Sequence, residues 1–205
     1  MKKEKLKDVL EVFLTLQTTK ELPRQGFIYS GFKLNDADSV AAHSFNVAAF
    51  AYLLARELKL TGYDIDEVKV LKMALLHDMG ESITGDIGTW VKVLAEGKFQ
   101  EVEDKAFSLL TRNLSNNNEL TGLFTEYNEL KTKEAQLVKL ADALDAMVQG
   151  LNTPGAKLED WKFARKKIIS EKITDKVLSE ILNSATDMLF KGKVTYFRGH
   201  IADKK

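Results

Sequence analysis

A histidine and an aspartate stand side by side, as His77 and Asp78, at the end of an apolar run. Two more carboxylates, those of Glu81 and Asp86, follow within nine residues of the histidine. Imidazole and carboxylate groups are common ligands of divalent transition metals. Because adjacent side chains on a helix point about 100° apart, the first two residues can share one ion only if it lies between them. The pattern therefore indicates a metal site that needs further ligands from elsewhere in the chain.

Two distant residues are candidates for those ligands. His43 lies among small apolar residues, and Asp142 lies within an apolar segment over residues 137–148. Each candidate also has an ordinary structural interpretation. A histidine among alanines is often a hydrogen-bonded core residue, and an aspartate on a helix is often solvated. His77 and Asp78 could likewise form an ordinary C-terminal cap of a helix, where the positive charge of a protonated histidine is favourable.

The composition indicates one globular domain. Its 205 residues fit a single large core, and 44% hydrophobic with 29% charged residues is an ordinary balance. The 30 basic and 30 acidic residues cancel, which disfavours nucleic acid or an anionic membrane as a partner. The absence of cysteine excludes disulfides and thiolate chemistry. Without a signal-like N-terminus or an apolar run near about 18 residues, we expect a cytoplasmic protein that does not span a membrane.

The chain favours helix throughout, because it has two prolines and many strong helix formers. Apolar side chains recur at helical spacing over most of its length. The predicted helices span about residues 4–20, from Asp38 or Ser39 to about 59, from Asp64 or Asp66 to 77, 99–113, 120–130, 134–149, 158–170 and 174–190. Only residues 194–198 have strand character late in the chain. We therefore predict an all-α fold.

The segments between the helices carry further predictions. Residues 21–38 form a long connection whose proline and glycine disfavour continued helix, and long connections are often functional. Residues 87–92 are predicted as a turn followed by a short helix, and residues 115–118 as a surface loop. Within residues 99–113, the side chains expected to face the core are those of Val102, Ala106, Leu109 and Leu110.

Four motifs match one known family in the same order along the chain. They are Pro23–Phe27, Ser39–Ser44, His77–Glu81 with Thr84–Asp86, and Lys139–Asp145. The chain resembles the HD-domain metal-dependent phosphohydrolases, in particular their 5′-deoxynucleotidase branch. This resemblance covers roughly residues 6–150 and implies one HD-domain helical bundle over residues 1–205, with helices at about 155–190 packed on that core. That branch usually has an acidic residue just before the first metal-binding histidine, where this chain has Ala42.

The resemblance implies one divalent metal ion, held by His43, His77, Asp78 and Asp142. Two nitrogens and two carboxylate oxygens suit Mn²⁺, Co²⁺, Fe²⁺ or Mg²⁺ at six-coordination, with positions left for water and a phosphate oxygen. Such an ion would polarise a phosphoryl group and acidify a bound water. Asp145 shares the context of the last ligand, and we assign it a structural or supporting role.

Glu81 and Asp86 are the predicted catalytic residues. The first would orient or deprotonate the attacking water, and the second would fix the water network or protonate the leaving oxygen. Arg24 would bind a phosphate with its planar fork, Phe27 would stack on a base or sugar, and Lys139 would face the phosphate. The alternatives are two loop acids, a surface arginine, a core phenylalanine and a solvated lysine.

The predicted reaction is hydrolysis of (deoxy)nucleoside 5′-monophosphates to nucleoside and phosphate. One alternative is hydrolysis of deoxynucleoside triphosphates or signalling nucleotides, which needs a larger basic pocket than the motifs suggest. The other is a non-catalytic nucleotide-binding module, which would have lost a ligand or Glu81, and neither is lost. The resemblance also implies a homodimer, for which the amphipathic helices after Pro154 supply apolar area.

Overall fold

The computed structural model describes residues 2–153 and 169–196, and these residues are mainly helical. The helices are α1 (Lys3–Leu16), α2 (Gln25–Tyr29), α3 (Val40–Leu60), α4 (Glu67–Leu76), α5 (Glu81–Thr84), α6 (Thr89–Leu94), α7 (Lys98–Thr111), α8 (Asn117–Glu129), α9 (Lys133–Asn152) and α10 (Lys176–Phe190). Short 3-10 helices cover Gln17–Lys20 and Leu34–Asp36. Within these ranges there is no named strand, only one isolated bridge between Pro23 and Ser39. The predicted all-α fold is confirmed.

The core lies where α3, α4 and α9 pack together. Small side chains such as Ala51 of α3, Ala74 of α4 and Ala141 of α9 are completely buried, which allows the helix axes to approach closely. Larger residues fill the space around them, including Met73 and Leu137. Helices α8 and α10 pack against α9 from outside. The helices that form this centre are also those on which the candidate metal ligands were predicted.

Side-chain caps fix where α3 and α4 begin. The Ser39 hydroxyl accepts a hydrogen bond from the backbone N–H of Ala42 at 3.2 Å, so Ser39 caps α3. The Asp66 carboxylate accepts from the backbone N–H groups of Val68 and Lys69, each at 3.0 Å, so Asp66 caps α4. Each cap satisfies backbone donors that have no partner inside the helix. Of the two candidates predicted for each helix, the second is the cap.

Some predicted segments differ from the structure. The connection over 21–38 contains α2, and α8 begins at Asn117, inside the predicted surface loop. On α7 the prediction was half wrong: Ala106 and Leu110 are buried, whereas Val102 and Leu109 are exposed. The reason is that Phe107 points inward and stacks on Phe124 of α8, which turns the opposite stripe of α7 to solvent.

The end of the chain tests only part of the sequence predictions. Residues 194–196 form no strand, and residues 197–198 lie outside the described residues. Most of the helix predicted over 158–170 also lies outside them. The helix predicted over 174–190 is present as α10. Across residues 2–153 and 169–196, no helix is both long and apolar enough to cross a membrane.

Candidate functional site

Two buried histidines face each other across the interface between α3 and α4. His43 lies in the first turn of α3, and His77 immediately follows α4. Their Nε2 atoms are 3.5 Å apart. The Nδ1 atom of His43 is 2.7 Å from a carboxylate oxygen of Asp145, and that of His77 is 2.8 Å from the carbonyl oxygen of Ala74. Because both Nδ1 atoms have an acceptor, each ring presents Nε2 to the space between them.

Two carboxylates complete this cluster. An oxygen of Asp142 lies 3.3 Å from Nε2 of His43. An oxygen of Asp78 lies 3.5 Å from the same atom and 3.1 Å from Nε2 of His77. The ligand atoms of His43, His77 and Asp142 all lie within 4.8 Å of one another. The structure therefore brings His43, His77 and Asp142 together and places Asp78 beside both histidines. Two imidazole nitrogens with two carboxylate oxygens fit a divalent ion.

The electrostatics of the cluster favour a positive charge at its centre. Burial and the Arg24 charge oppose protonation of His43, but hydrogen bonds to Asp142 and Asp145 outweigh them and raise its pKa to about 9. Burial acts to raise the pKa of Asp78, yet the neighbouring His77 holds that pKa below its usual range. Burial also acts to raise the pKa of Asp142, but nearby positive charges, above all that of Lys139, hold this pKa below its usual range. These carboxylates stay ionised, as metal ligands must.

Arg24 lies directly against this cluster and not on the surface. One guanidinium nitrogen is 3.0 Å from Nδ1 of His43, and another is 3.7 Å from an oxygen of Asp142. A single Nδ1 cannot both donate to Asp145 and accept from Arg24. The Asp145 contact is shorter and charge-assisted, so we assign the proton to Nδ1 and treat the arginine contact as packing. The planar fork of Arg24 is thus beside the candidate metal site.

Asp86 holds the backbone next to Arg24 and also faces the candidate site. Its carboxylate accepts a hydrogen bond from the backbone N–H of Gln25, the first residue of α2 and the neighbour of Arg24. Burial raises the pKa of Asp86, while the Arg24 charge and this backbone hydrogen bond act in the opposite direction. The structure therefore gives Asp86 a positioning contact that the sequence did not suggest.

Glu81, the first residue of α5, also faces the acidic side of the site. Burial and the charges of Asp78 and Asp86 raise the pKa of Glu81 to about 10. In its protonated form Glu81 can donate a proton to a leaving oxygen. The predicted role as a base requires a positive charge nearby, such as a divalent cation at Asp78, to lower this pKa.

Two other candidate residues have different environments from those predicted. Phe27 is only 3% exposed and packs edge-on against Phe32, with its ring 5.6 Å from the guanidinium carbon of Arg24. A stacking contact with a base does not fit this burial, so Phe27 is better placed to support Arg24. The ammonium group of Lys139 is 2.6 Å from an oxygen of Asp142, so it neutralises a candidate ligand where a phosphate contact was predicted.

Several residues near the site carried little signal in the sequence. Lys92 of α6 pairs with Glu103 of α7 at 2.7 Å, and its charge acts on Glu81. The Tyr127 ring packs edge-on beneath the His77 ring, 5.7 Å away between centroids. For Lys92, the available signal in the sequence was a lysine inside the apolar segment 89–94.

Ala42 is exposed, so the acidic residue that the 5′-deoxynucleotidase branch usually has at this position would be a surface group in this chain.

Comparison with known families identifies the family of the chain. The family model for the HD domain matches residues 16–182, which is most of the chain. The chain belongs to the HD-domain family. The predicted family membership is therefore confirmed.

Individual relatives cover much of the HD-domain chain. The 5′-deoxynucleotidase HDDC2 of Dictyostelium discoideum is 34% identical over 148 residues, which are 70% of this chain and 76% of the relative. The crystal structure of a protein from Pyrococcus horikoshii OT3 is 35% identical, covers 87% of this chain and 99% of that chain, and has a TM-score of 0.71. A crystal structure from Magnetospirillum magnetotacticum MS-1, named as a predicted metal-dependent phosphohydrolase, is 22% identical with a TM-score of 0.67. It covers 92% of this chain and 97% of that chain, and this likeness shows the fold.

Proposed function

We propose that this HD-domain protein hydrolyses (deoxy)nucleoside 5′-monophosphates to nucleoside and phosphate with one divalent metal ion. The observation that carries the proposal is the convergence of His43, His77, Asp78 and Asp142 beside the guanidinium of Arg24. A cation site next to an arginine fork is suited to a phosphate group. The 34% identity to a named 5′-deoxynucleotidase supports a nucleotide as the carrier of that phosphate.

The chain's own residues have separable roles in this reaction. When bound, the ion would polarise the phosphoryl group and supply an acidified water. Arg24 binds the phosphate oxygens that face away from the four ligands. Glu81 exchanges a proton with the attacking water or the leaving oxygen, and Asp86 holds the start of α2 so that Arg24 stays in position.

Four cationic side chains lie around the candidate site. Lys92 and Lys139 each pair with a carboxylate, at 2.7 Å and 2.6 Å, and Arg24 lies 3.7 Å from an oxygen of Asp142. The charge of Lys172 also acts on Asp142 and Lys139. The named relative supports a monophosphate, and the nucleotide panel distinguishes a monophosphate from a triphosphate.

A nucleotide panel tests the proposal. Purified protein is stripped of metal, resupplied separately with Mn²⁺, Co²⁺, Fe²⁺ and Mg²⁺, and assayed for inorganic phosphate release from monophosphates and triphosphates of ribo- and deoxyribonucleosides. We expect release from 5′-monophosphates, loss of it in His77→Ala, and no loss in the control Lys105→Ala, which changes an exposed residue of α7. Release confined to triphosphates, or nucleotide binding without hydrolysis, would establish an alternative function.

The same proposal includes the assembly and the organisation of the chain. We propose a homodimer in the cytoplasm, formed by a chain that is one HD domain from residue 1 to 205. Exposed apolar side chains such as Phe13 and Leu14 of α1 supply area for a contact between copies. Light scattering at several protein concentrations tests the dimer, and cell fractionation tests the location.

A further inference from the structure

Helix α2 is held at both ends by one short loop, residues 85–88, which connects α5 to α6. At the first end, the Asp86 carboxylate accepts the backbone N–H of Gln25. At the other end, the Tyr29 ring lies against Gly88. Arg24 immediately precedes α2, and its own backbone N–H donates to the carbonyl oxygen of Asp38 at 3.0 Å. The loop that carries a candidate catalytic acid therefore holds the arginine together with the segment before α3.

Gly88 leaves space that the Tyr29 ring occupies. A Cβ atom built on Gly88 would lie 2.5 Å from both Cδ2 and Cε2 of Tyr29, far inside van der Waals contact. The backbone does not require glycine here, because φ is −57° and ψ is 148°, which any residue adopts. Gly88 also occupies the N-cap position of α6, where serine, aspartate or asparagine is favoured over glycine. Space for the ring is therefore the physical reason for glycine at this position.

We propose that Gly88 and Tyr29 form a clasp that positions Arg24 for phosphate binding, an inference that rests on the proposed function. The clasp and the Asp86 contact together fix both ends of a helix of five residues. Neither clasp residue touches the four candidate ligands in the described contacts, so both are positioning residues. Loosening the clasp lets α2 rotate away and lowers the time that Arg24 spends over the site.

A double-mutant cycle tests the clasp in the full-length protein. Gly88→Ala forces the ring away, and Tyr29→Ala removes it. We expect each change to raise KM for a 5′-monophosphate, and the inhibition constant of inorganic phosphate, by roughly two- to tenfold, which corresponds to about 0.4–1.4 kcal/mol. The double variant should be no worse than the poorer single variant, because the added methyl group has nothing to displace once the ring is gone.

Two control variants separate the clasp from a general loss of structure. Tyr29→Phe keeps the ring atoms that touch Gly88 and should match the unmodified protein. Gly122→Ala adds a Cβ on α8 where no atom lies within 4 Å, so it too should have no effect on KM. A normal KM in Gly88→Ala, additive effects in the double variant, or a fall in kcat and melting temperature at unchanged KM would each overturn the clasp.

Hydrogen exchange tests whether the clasp holds α2 in place, independently of catalysis. Gly88→Ala and Tyr29→Ala should speed amide exchange in residues 25–32, and Tyr29→Phe should not. If the unmodified protein released phosphate from no nucleotide, the proposed function would fail while this measurement still decided the contact. Unchanged exchange in Gly88→Ala, together with an active unmodified enzyme, would overturn the clasp and leave the proposed function standing.

Discussion

Asp145 offers a sharp test of how the metal site is built. Its carboxylate lies 2.7 Å from Nδ1 of His43 and fixes the ring so that Nε2 faces Asp142 and Asp78. Asp145→Asn keeps the size of the side chain and an oxygen that can accept this hydrogen bond, but removes the negative charge. A charge-assisted hydrogen bond is about twice as strong as a neutral one, so His43 should become both less basic and less well oriented.

We expect this change to lower the metal affinity without abolishing activity. Loss of such a supporting group lowers metal affinity by about 10- to 100-fold, which corresponds to roughly 1.4–2.7 kcal/mol. Calorimetric titration of Mn²⁺ or Co²⁺ into the stripped protein measures the affinity directly. At saturating metal, kcat should return close to that of the unmodified enzyme, since all four ligands are still present.

The control for Asp145→Asn is Asp187→Asn, near the end of α10. The Asp187 carboxylate pairs with Lys193 and lies far along the chain from the site motifs. It removes the same charge and should leave metal affinity unchanged. Equal affinities for the Asp145 variant and the unmodified protein would refute the argument that this carboxylate orients His43. A loss of kcat that saturating metal does not restore would mean that Asp145 acts on the substrate instead.

The remaining predictions concern ligation, proton transfer, phosphate binding and the core. His77→Ala should strip the ion and abolish activity, which elemental analysis and phosphate release measure together; full metal occupancy would contradict ligation. Glu81→Ala should retain the metal but lower kcat by about 10²–10⁴, and a parallel loss of metal would make Glu81 a ligand. Arg24→Ala should lower kcat/KM by about tenfold to 150-fold, with only partial recovery in Arg24→Lys; unchanged kinetics would remove Arg24 from the site. Phe107→Ala should cost about 3–5 kcal/mol of unfolding free energy in urea titration, because the ring is fully buried against Phe124.

The helices and the candidate ligands were accessible from the sequence for the same reason. Apolar spacing predicts helices, and histidine or aspartate inside such a pattern stands out because a polar group in a core needs a partner. That pattern alone left a structural role open for His43 and Asp142, and the resemblance to the HD-domain family made them candidate ligands. Their distances to each other depend on how α3 and α9 pack, which only the structure supplies.

Predictions failed where two apolar stripes compete on one element. On α7 both Val102 and Phe107 are apolar, and the choice of the buried stripe depends on the fit against α8. For Phe27 the sequence left base stacking and core packing both open, because residue type does not distinguish a ring that stacks on a base from one buried against Phe32. The Gly88 contact with Tyr29 left no periodic signal, since it joins residues that are distant in sequence and lie at helix ends.

The candidate ligands and Arg24 are held by different contacts. The four candidate ligands come from α3, α9 and the end of α4, which pack together in the core of the described residues. Arg24 precedes the five-residue helix α2, where its backbone N–H donates to the carbonyl oxygen of Asp38 and that of Gln25 donates to Asp86. A change in one of these backbone contacts can therefore shift the guanidinium while the geometry of the ligands is kept. Metal binding and phosphate binding can for that reason vary separately among related chains.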